Sequence, residues 1–295
     1  MRGYFVFDSP EVKAILKDYV RRKYRVVEDR GDFVVRKVGR ILRLEYALQD
    51  LVDWWDLNVR VGELEGTIKG GTYYRMVFKN LLEFSEFRKV LESTGMDWDI
   101  KVSRVYYVPL VEYADSESLR RSFSKNVWKN VRNTRNRLRR RYGSIEVSPG
   151  DPLKEYGWTV KMIADRHPHG LFSDPDFTEA MGEVVRVMSN MGMLKVWVLR
   201  GGGRTLATNY VIESDGVALS YMAGYDPKAG DVYRFLIYHV ITEYHRMGFR
   251  EFNFMKGESP YKRQWTDRYY RLYRYEALNP SPLRRLLSVL RSHFG

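Results

Sequence analysis

The 295-residue chain contains no cysteine, and glutamine occurs only at Gln49 and Gln264. The absence of cysteine excludes disulfide scaffolds, thiol nucleophiles, iron–sulfur clusters and cysteine-ligated zinc. No apolar run approaches the ~20 residues that a membrane helix requires, and the N-terminus lacks the apolar region of a secretory signal. With 29% charged residues and little glutamine, the composition is typical of a thermophile. We therefore expect a soluble, cytoplasmic protein without a transmembrane segment.

Acidic residues are also scarce relative to basic ones. The chain contains 50 Lys and Arg but only 37 Asp and Glu, which gives a net charge of +13. Between Ser118 and Ile145 there is no acidic residue at all. Ten basic residues share this stretch: Arg120, Arg121, Lys125, Lys129, Arg132, Arg135, Arg137, Arg139, Arg140 and Arg141. Its apolar residues recur at spacings of four and seven, which predicts one helix that ends at Gly143.

Surface helices ordinarily mix charges of both signs, and this one does not. Unrelieved positive charge favours an anionic partner over a merely solvated face. The partner could be a phosphorylated substrate, RNA such as tRNA, or an anionic lipid surface, and the sequence does not choose among them. From this helix we select Arg132, Arg135 and Arg139 as candidate substrate-binding residues.

Turn and periodicity signals predict four segments. Residues 1–117 form one α/β unit, 118–147 the basic helix that bridges two units, 148–279 a second unit, and 280–295 an amphipathic C-terminal helix. In the first unit the predicted helices are Pro10–Tyr24 and Phe84–Leu91, and the predicted strands are Phe33–Val38, Ile41–Tyr46 and Val102–Val111. The C-terminal helix is expected to dock on the protein body, with peripheral membrane contact as the alternative.

The second unit carries the clearest signals. Ser148–Pro152 is rich in turn residues and is predicted to be a loop. Asp174 and Pro175 predict the start of a helix that ends at Gly192. From Leu194 onward the predicted order is β-β-β-α-β-α-β, with strands Leu194–Leu199, Thr205–Glu213, Val217–Tyr225, Arg250–Met255 and Tyr269–Ala277, a helix Val232–Met247 and a short helix near Lys262.

The turn after the third of these strands suits an anion, because a helix start presents unpaired N–H groups and a positive dipole. Gly224 and Gly230 allow close approach to the backbone, and Lys228 and Arg234 add positive charge. The alternative is an ordinary strand-to-helix turn. His167 and His169 form a His-x-His pair without a third ligand, so no metal is expected. No serine lies in a Gly-x-Ser-x-Gly setting, so a hydrolase triad has no support.

Two motifs carry a family resemblance. Phe252–Trp265 contains a strand followed by Gly-Glu-x-x-Tyr-Lys-x-x-Trp, and Met222–Pro227 contains Gly-Tyr-Asp-Pro at a strand end. The sequence resembles the FemAB-like branch of the GNAT superfamily, and within it the acetyltransferases associated with cellulose and exopolysaccharide gene clusters. The resemblance covers residues 30 to 278, with the N-terminal half matching loosely as a degenerate GNAT unit. It implies an α/β (α+β) fold of tandem GNAT-like units with mixed, mostly antiparallel sheets flanked by helices.

The resemblance also implies acyl transfer from a donor bound between two central strands. The donor would be acyl-CoA, with aminoacyl-tRNA as the alternative, and the acceptor an amine on a sugar, peptide or lipid precursor. The residues that would hold the donor are Gly224, Tyr225, Asp226, Lys228, Gly230, Tyr233 and Arg234. On the acceptor side we expect His167, His169, Asn253 and Trp265. One departure from the family is Asp231, whose carboxylate would lie near any phosphate bound at this turn.

Catalysis by such a site requires a cation or donor for the developing oxyanion and a route for the proton of the amine. By resemblance, Lys262 lies near the reacting carbonyl, with Tyr261 and Glu258 beside it. The proton acceptor stays open among Glu258, Asp226 and His239. A different class of function is an RNA-binding module on a catalytically decayed GNAT fold, in which the arginine-rich helix 120–141 enters an RNA groove.

Overall fold

The computed structural model describes residues 7, 9–30, 32–38, 41–47, 49, 51 and 75–278. The chain divides into two compact units. One contains Met1–Ile15 and Val105–Tyr269, and the other contains Leu16–Arg104 and Tyr270–Gly295. Neither unit coincides with one of the segments 1–117, 118–147, 148–279 and 280–295, whose division into functional parts stays a prediction. The predicted C-terminal amphipathic helix lies outside the described residues.

The unit around Leu16–Arg104 is built on a mixed sheet of five strands in the order β1-β2-β3-β4-β11. Its elements are α1 (Pro10–Lys23), which begins in the other unit, β1 (Val26–Arg30), β2 (Phe33–Val38), β3 (Ile41–Tyr46), β4 (Arg75–Leu82), α2 (Glu86–Ser93) and β11 (Tyr269–Leu278). Among the described strands of this unit, only β3 and β4 run parallel. The strands predicted at Phe33–Val38 and Ile41–Tyr46 are confirmed with their bounds, whereas β1 and β4 were not predicted.

The unit around Val105–Tyr269 has six strands in the order β5-β10-β9-β8-β7-β6. Its elements are β5 (Asp99–Val108), α3 (Ser116–Ser122), α4 (Lys125–Tyr142), β6 (Ile145–Gly150), α5 (Pro152–Arg166), α6 (Pro175–Asn190), β7 (Leu194–Gly201), β8 (Arg204–Ser214), β9 (Val217–Tyr225), α7 (Val232–Arg246) and β10 (Glu251–Asn253). All neighbouring strands whose pairing is described are antiparallel except β9 and β10. The predicted mixed, mostly antiparallel α/β class is therefore confirmed.

The basic stretch forms two helices rather than the single helix predicted. The chain is extended at Phe123, between α3 and α4. The Phe123 ring is buried and packs edge-on against Trp265 at 5.1 Å. Ser124 donates its N–H to Gln264 at 3.0 Å instead of continuing the helix. Burial of an aromatic ring at this point thus breaks the helical periodicity that the sequence suggested.

Two further predictions are corrected. The segment Ser148–Gly150, predicted as a loop, is the end of β6, and Asp151 caps α5 by accepting from the N–H groups of Leu153 and Lys154. The short helix predicted near Lys262 is a single 3₁₀ turn, Lys262–Gln264. The rest of the β-β-β-α-β-α-β order matches, and α6 begins after Asp174 and ends before Gly192 as predicted.

α4 is held by one apolar stripe. Val127, Val131, Thr134 and Leu138 are buried at the spacing of one helix face. This face packs on α7, β6 and β7, within a core that includes Trp197, Phe235 and Trp265. The helix ends at Gly143, which has a φ of 74° that favours glycine. No helix among the described residues is long and apolar enough to span a bilayer.

Candidate active site

The central strands β9 and β10 pair over only three residues. Val217, Ala218 and Leu219 face Glu251, Phe252 and Asn253 in parallel register, and β10 then ends. β9 continues to Tyr225, still paired with β8 on its other side. The β10-facing edge of β9 from Ser220 to Tyr225 therefore has no strand partner among the described residues, and we call it the open edge.

A β-bulge lies at the start of the open edge. Tyr210 of β8 faces Met222, but the next residue of β8, Val211, faces Ser220, so Tyr221 is an extra residue in β9. A bulge disrupts the ladder locally and re-aims backbone groups. Farther along, Asp226 donates its N–H to Leu206 of β8 at 2.9 Å. Because strand groups alternate in direction, the backbone groups of Ala223 and Tyr225 point to the open edge.

Arg166, the last residue of α5, occupies part of this edge. Its Nη2 donates to the carbonyl oxygen of Ala223 at 3.1 Å, and its Cζ lies 3.6 Å from the centroid of the Tyr225 ring. Its Nε and Nη1 are buried and have no hydrogen-bond partner within the part of the chain that the structure describes. Burial lowers the pKa of Arg166. This residue was not predicted from the sequence, in which its position directly before His167 is the only signal.

A row of aromatic rings links the end of β9 to the end of β10. Tyr225 stacks on Tyr233 at 5.7 Å, Tyr233 meets Tyr261 edge-on at 6.0 Å, and Tyr261 meets Phe254 edge-on at 6.2 Å. These rings bring together predicted donor-site residues from β9 and α7 and the predicted catalytic Tyr261. Packed aromatic rings thus connect the ends of the two strands.

Hydroxyl groups form a network around these rings. The buried Asn209 of β8 donates from Nδ2 to Ser220 Oγ at 2.8 Å and to Tyr233 Oη at 3.3 Å. Burial raises the pKa of Tyr233 and raises that of Tyr261 well above its ordinary value. Both phenols are therefore protonated at neutral pH and act as hydrogen-bond donors.

Lys262 is buried, and its ammonium is surrounded by backbone carbonyls. Nζ donates to the oxygens of Phe254 at 2.8 Å, Met255 at 3.1 Å and Lys256 at 3.0 Å. An ammonium has three protons, so these contacts match its capacity. In this structure the ammonium fixes the segment that follows β10, and its role as a direct oxyanion donor stays a prediction.

Asn253 and Trp265 are both buried in contacts within the protein, and their place on the acceptor side stays a prediction. Asn253 is fully buried, donates to Glu251 Oε1 at 2.8 Å and accepts the N–H of Met255 at 2.8 Å. Met255 has a φ of 59°, which is uncommon for a residue with a side chain. Trp265 is buried between the rings of Phe123 and Phe254. These side chains hold the end of β10.

The loop between β9 and α7 contains both predicted acidic residues in local pairs. Asp226 accepts the N–H of Lys228 at 2.8 Å. Asp231, which departs from the family pattern, forms an ion pair with Arg234 on the first turn of α7. The Asp231 carboxylate is thus neutralised locally, and the repulsion expected for a phosphate at this turn is reduced.

Gly224 packs against a helix rather than leaving room for a ligand, contrary to the prediction. A Cβ built on Gly224 would lie 3.0 Å from Thr159 Cα and 3.1 Å from Thr159 O, both backbone atoms of α5. Thr159 Oγ1 and Thr208 Oγ1 are 2.8 Å apart beside it. The missing side chain lets α5, which carries Arg166 at its end, lie close to β8 and β9.

α4 presents two exposed basic faces on either side of its buried stripe. Arg132, Arg135 and Arg139 lie on one face and were chosen from the sequence. The other face lines an open cavity of about 510 Å³ formed by Asn133, Asn136, Arg137, Arg140 and Arg141. The periodicity revealed both faces, but it could not show that the second one meets the β9–α7 loop.

The remaining predicted residues lie at the surface. Glu258 and Lys228 are exposed, and His167 and His169 are exposed in the loop that follows α5. Their predicted roles in catalysis, donor binding and acceptor binding stay predictions. Among the described residues, no group of three or more His, Cys, Asp or Glu side chains is placed to hold a metal ion.

Comparison with known families defines the class of protein. Residues 125–263 match the model of the acetyltransferase (GNAT) domain. The match runs from α4 to the Lys262–Gln264 turn and contains the open edge, the loop and the cavity. This part of the chain is a GNAT acyltransferase domain, and the resemblance predicted from the motifs is confirmed.

Solved structures share the fold over nearly the whole chain. FemX is 10% identical, covers 95% of this chain and 94% of its own, and has a TM-score of 0.57. L-PGS from Bacillus licheniformis is 15% identical, covers 96% of each chain and has a TM-score of 0.52. A conserved protein of unknown function from Bacteroides thetaiotaomicron is 14% identical, covers 94% of each chain and has a TM-score of 0.57. These neighbours share the fold of this chain, and a search of curated proteins found no match.

Proposed function

We propose that the protein is an N-acyltransferase that moves an acyl group from acyl-CoA, or an aminoacyl group from aminoacyl-tRNA, directly to an amine. The acceptor amine belongs to a sugar, a peptide or a lipid precursor. The observation that carries this proposal is the open edge of β9, whose backbone groups have no strand partner among the described residues and lie beside a guanidinium with two unsatisfied nitrogens. An acyl donor needs such an edge to align its carbonyl, because an extended chain pairs with free strand groups.

The reaction forms a C–N bond and breaks the C–S bond of a thioester or the C–O bond of an ester. The amine gives up one proton, and the leaving thiolate or alkoxide takes one up. The N–H of Ala223 points to the open edge and is our candidate donor to the developing oxyanion. A preorganised backbone donor of this kind is typically worth about 2.7–4 kcal/mol in the transition state.

Proton transfer is assigned to the residues around the aromatic row. Tyr261 and Tyr233 are protonated at neutral pH because burial raises their pKa, so either can donate to the leaving group. Glu258 is exposed on the segment just before Tyr261 and remains our candidate base for the amine. Lys262 acts as a positioning residue that holds the carbonyl segment of Phe254–Lys256.

The test is an acyl-transfer assay with acetyl-CoA and with a panel of aminoacyl-tRNAs, using amine acceptors from the three classes. Wild-type protein should release free CoA thiol or deacylated tRNA only when an amine is present. Tyr261→Phe should lower kcat, whereas Arg186→Met, an exposed change on α6, should not. If no donor shows amine-dependent release of CoA thiol or deacylated tRNA, the proposal is wrong.

A second candidate function is RNA binding without catalysis, and the other basic face of α4 favours it. Arg132, Arg135 and Arg139 are exposed and form no ion pair with any carboxylate that the structure describes. If these three residues bind phosphates, log K for RNA should change with log salt by about −0.7 to −0.9 per contact. Steep salt dependence that disappears in an R132E/R135E/R139E variant, together with no acyl transfer, would favour this alternative.

A further inference from the structure

The cavity on α4 is built against the loop that leads into α7. Arg141 Nη1 donates to the carbonyl oxygen of Lys228 at 2.8 Å. Arg137 Nη2 lies 2.6 Å from the place where a Cβ of Gly230 would stand. Gly230 has a φ of 81°, so it supplies both the turn and the space for this guanidinium. The lining of the cavity is therefore fixed by the loop.

The arginines that line the cavity retain their charge for a ligand. Arg137 and Arg140 form no ion pair with a carboxylate in the described part of the chain, and Arg141 donates to a neutral carbonyl oxygen. The two nearby acidic side chains are already engaged, Asp226 by the Lys228 N–H and Asp231 by Arg234. Three guanidinium groups thus converge on one cavity without a compensating anion.

The chemistry of the lining matches phosphate. Guanidinium groups bind phosphate oxygens through two parallel N–H donors, and the Asn133 and Asn136 amides add further donors or acceptors for a base or a sugar. A volume of about 510 Å³ lies in the range of small-molecule sites. An aliphatic or neutral ligand would leave the three guanidinium charges uncompensated.

We propose that this cavity binds the phosphate-bearing nucleotide end of the donor, with Arg137, Arg140 and Arg141 as the phosphate-binding residues. This inference rests on the proposed acyltransferase function, which it deepens by placing the donor's nucleotide on the side chains of α4. The shared chemistry is a nucleotide phosphate, supplied either by the adenosine bisphosphate end of CoA or by the 3′ end of a tRNA.

The experiment measures binding by calorimetry to the full chain with two probes, adenosine 3′,5′-bisphosphate and a hairpin RNA ending in CCA. The variant R137Q/R140Q removes two cavity charges, and K125Q/K129Q removes two exposed charges from the first turns of the same helix, to which no binding role is assigned. We expect the affinity for at least one probe to fall about tenfold or more in the first variant and under threefold in the second. The probe that shows this difference identifies the source of the phosphate.

Equal losses in the two variants would show unspecific attraction to a basic helix and would overturn the inference, as would the absence of binding by both probes. R137K/R140K provides a second test, since it keeps the charge but removes the planar donor pair, and its affinity should fall between those of the wild type and R137Q/R140Q.

The acyl-transfer assay separates this inference from the proposed function. Transfer with equal losses in R137Q/R140Q and K125Q/K129Q rejects only the cavity, whereas cavity-dependent binding without transfer rejects only the enzyme.

Discussion

The ammonium of Lys262 lies 2.8 Å from the carbonyl oxygen of Phe254, the first residue after β10. The same ammonium binds the next two carbonyls, and Asn253 holds the intervening N–H of Met255. A buried cation surrounded in this way replaces the strand partner that β10 loses when it ends. The separation of β9 from the chain after β10 therefore depends on Lys262, the lysine of the Gly-Glu-x-x-Tyr-Lys motif.

Replacing Lys262 by Met should lower both stability and turnover. Three carbonyls would lose their partner, and a buried acceptor left unsatisfied typically costs about 1–3 kcal/mol. We expect a lower midpoint in thermal or denaturant unfolding and faster amide exchange in residues 254–257. Lys256→Met, an exposed change in the same segment, is the matched control and should leave the midpoint unchanged.

A direct catalytic role for Lys262 would give a different result. Lys262→Met would then keep the wild-type unfolding midpoint and lose turnover alone. A positioning role predicts that residual activity keeps the wild-type pH profile, because no titrating group at the reacting atoms has been removed.

The sequence predicted elements whose signals are local. α6 begins at Asp174 and Pro175 because a cap and a preset φ act within a few residues. β1 and β4 were missed, since nothing marks Val26–Arg30 or Arg75–Leu82 apart from their neighbours in the sheet. The break between α3 and α4 at Phe123 was also not predicted, because it depends on Trp265, which is far away in sequence.

The candidate site was predicted in part for the same reason. The motif located Tyr261 and the Gly-Tyr-Asp end located Tyr225, and the structure brings both into one aromatic row. Arg166 could not be found, because its significance lies in reaching Ala223 across 57 residues of chain. Nor could the periodicity of α4 distinguish the face of Arg137 from that of Arg135.

Gly224→Ala should destabilise the protein through α5. The new Cβ would lie 3.0 Å from Thr159 Cα, and backbone atoms cannot move aside as a flexible side chain would. Overpacking of this kind typically costs about 1–3 kcal/mol. Because α5 ends at Arg166, we also expect weaker activity from the fraction that folds.

The control is Gly157→Ala on α5, where an added Cβ meets no atom within 4 Å. That change should stabilise the helix slightly, because alanine is the better helix former. Unfolding midpoints that move equally in both variants would show that the contact between Gly224 and α5 is not tight.

Acid should destabilise the protein through His239. Burial, and then the nearby Arg135 guanidinium, lower the pKa of His239 from 6.5. The folded state therefore favours the neutral ring, whereas the unfolded chain takes up a proton more readily. The resulting stability is present above about pH 6.5 and is lost as the pH falls through the lowered pKa.

Urea unfolding at pH 7.5 and pH 5.5 measures this effect. His239→Gln should lose less free energy of unfolding between the two pH values than the wild type does. His169→Gln removes an exposed imidazole and should reproduce the wild-type difference. If both variants lose as much free energy of unfolding between the two pH values as the wild type does, the acid sensitivity does not come from His239.

Arg166 should reveal its role by separating stability from activity. Its guanidinium is half-buried, its pKa is lowered by burial, and two of its nitrogens lack partners among the described residues. An uncompensated buried cation costs stability, and its replacement by an apolar residue of similar length is often neutral or stabilising. We therefore expect Arg166→Met to keep or raise the unfolding midpoint while acyl transfer falls at least about tenfold, the loss typical of one charge-assisted contact.

Arg166→Lys, which keeps the charge but not the planar donors, should recover part of the activity if the group binds a substrate anion. A lower midpoint with unchanged transfer would instead make the stack on Tyr225 a packing contact, and the open edge would then need another residue to hold its substrate.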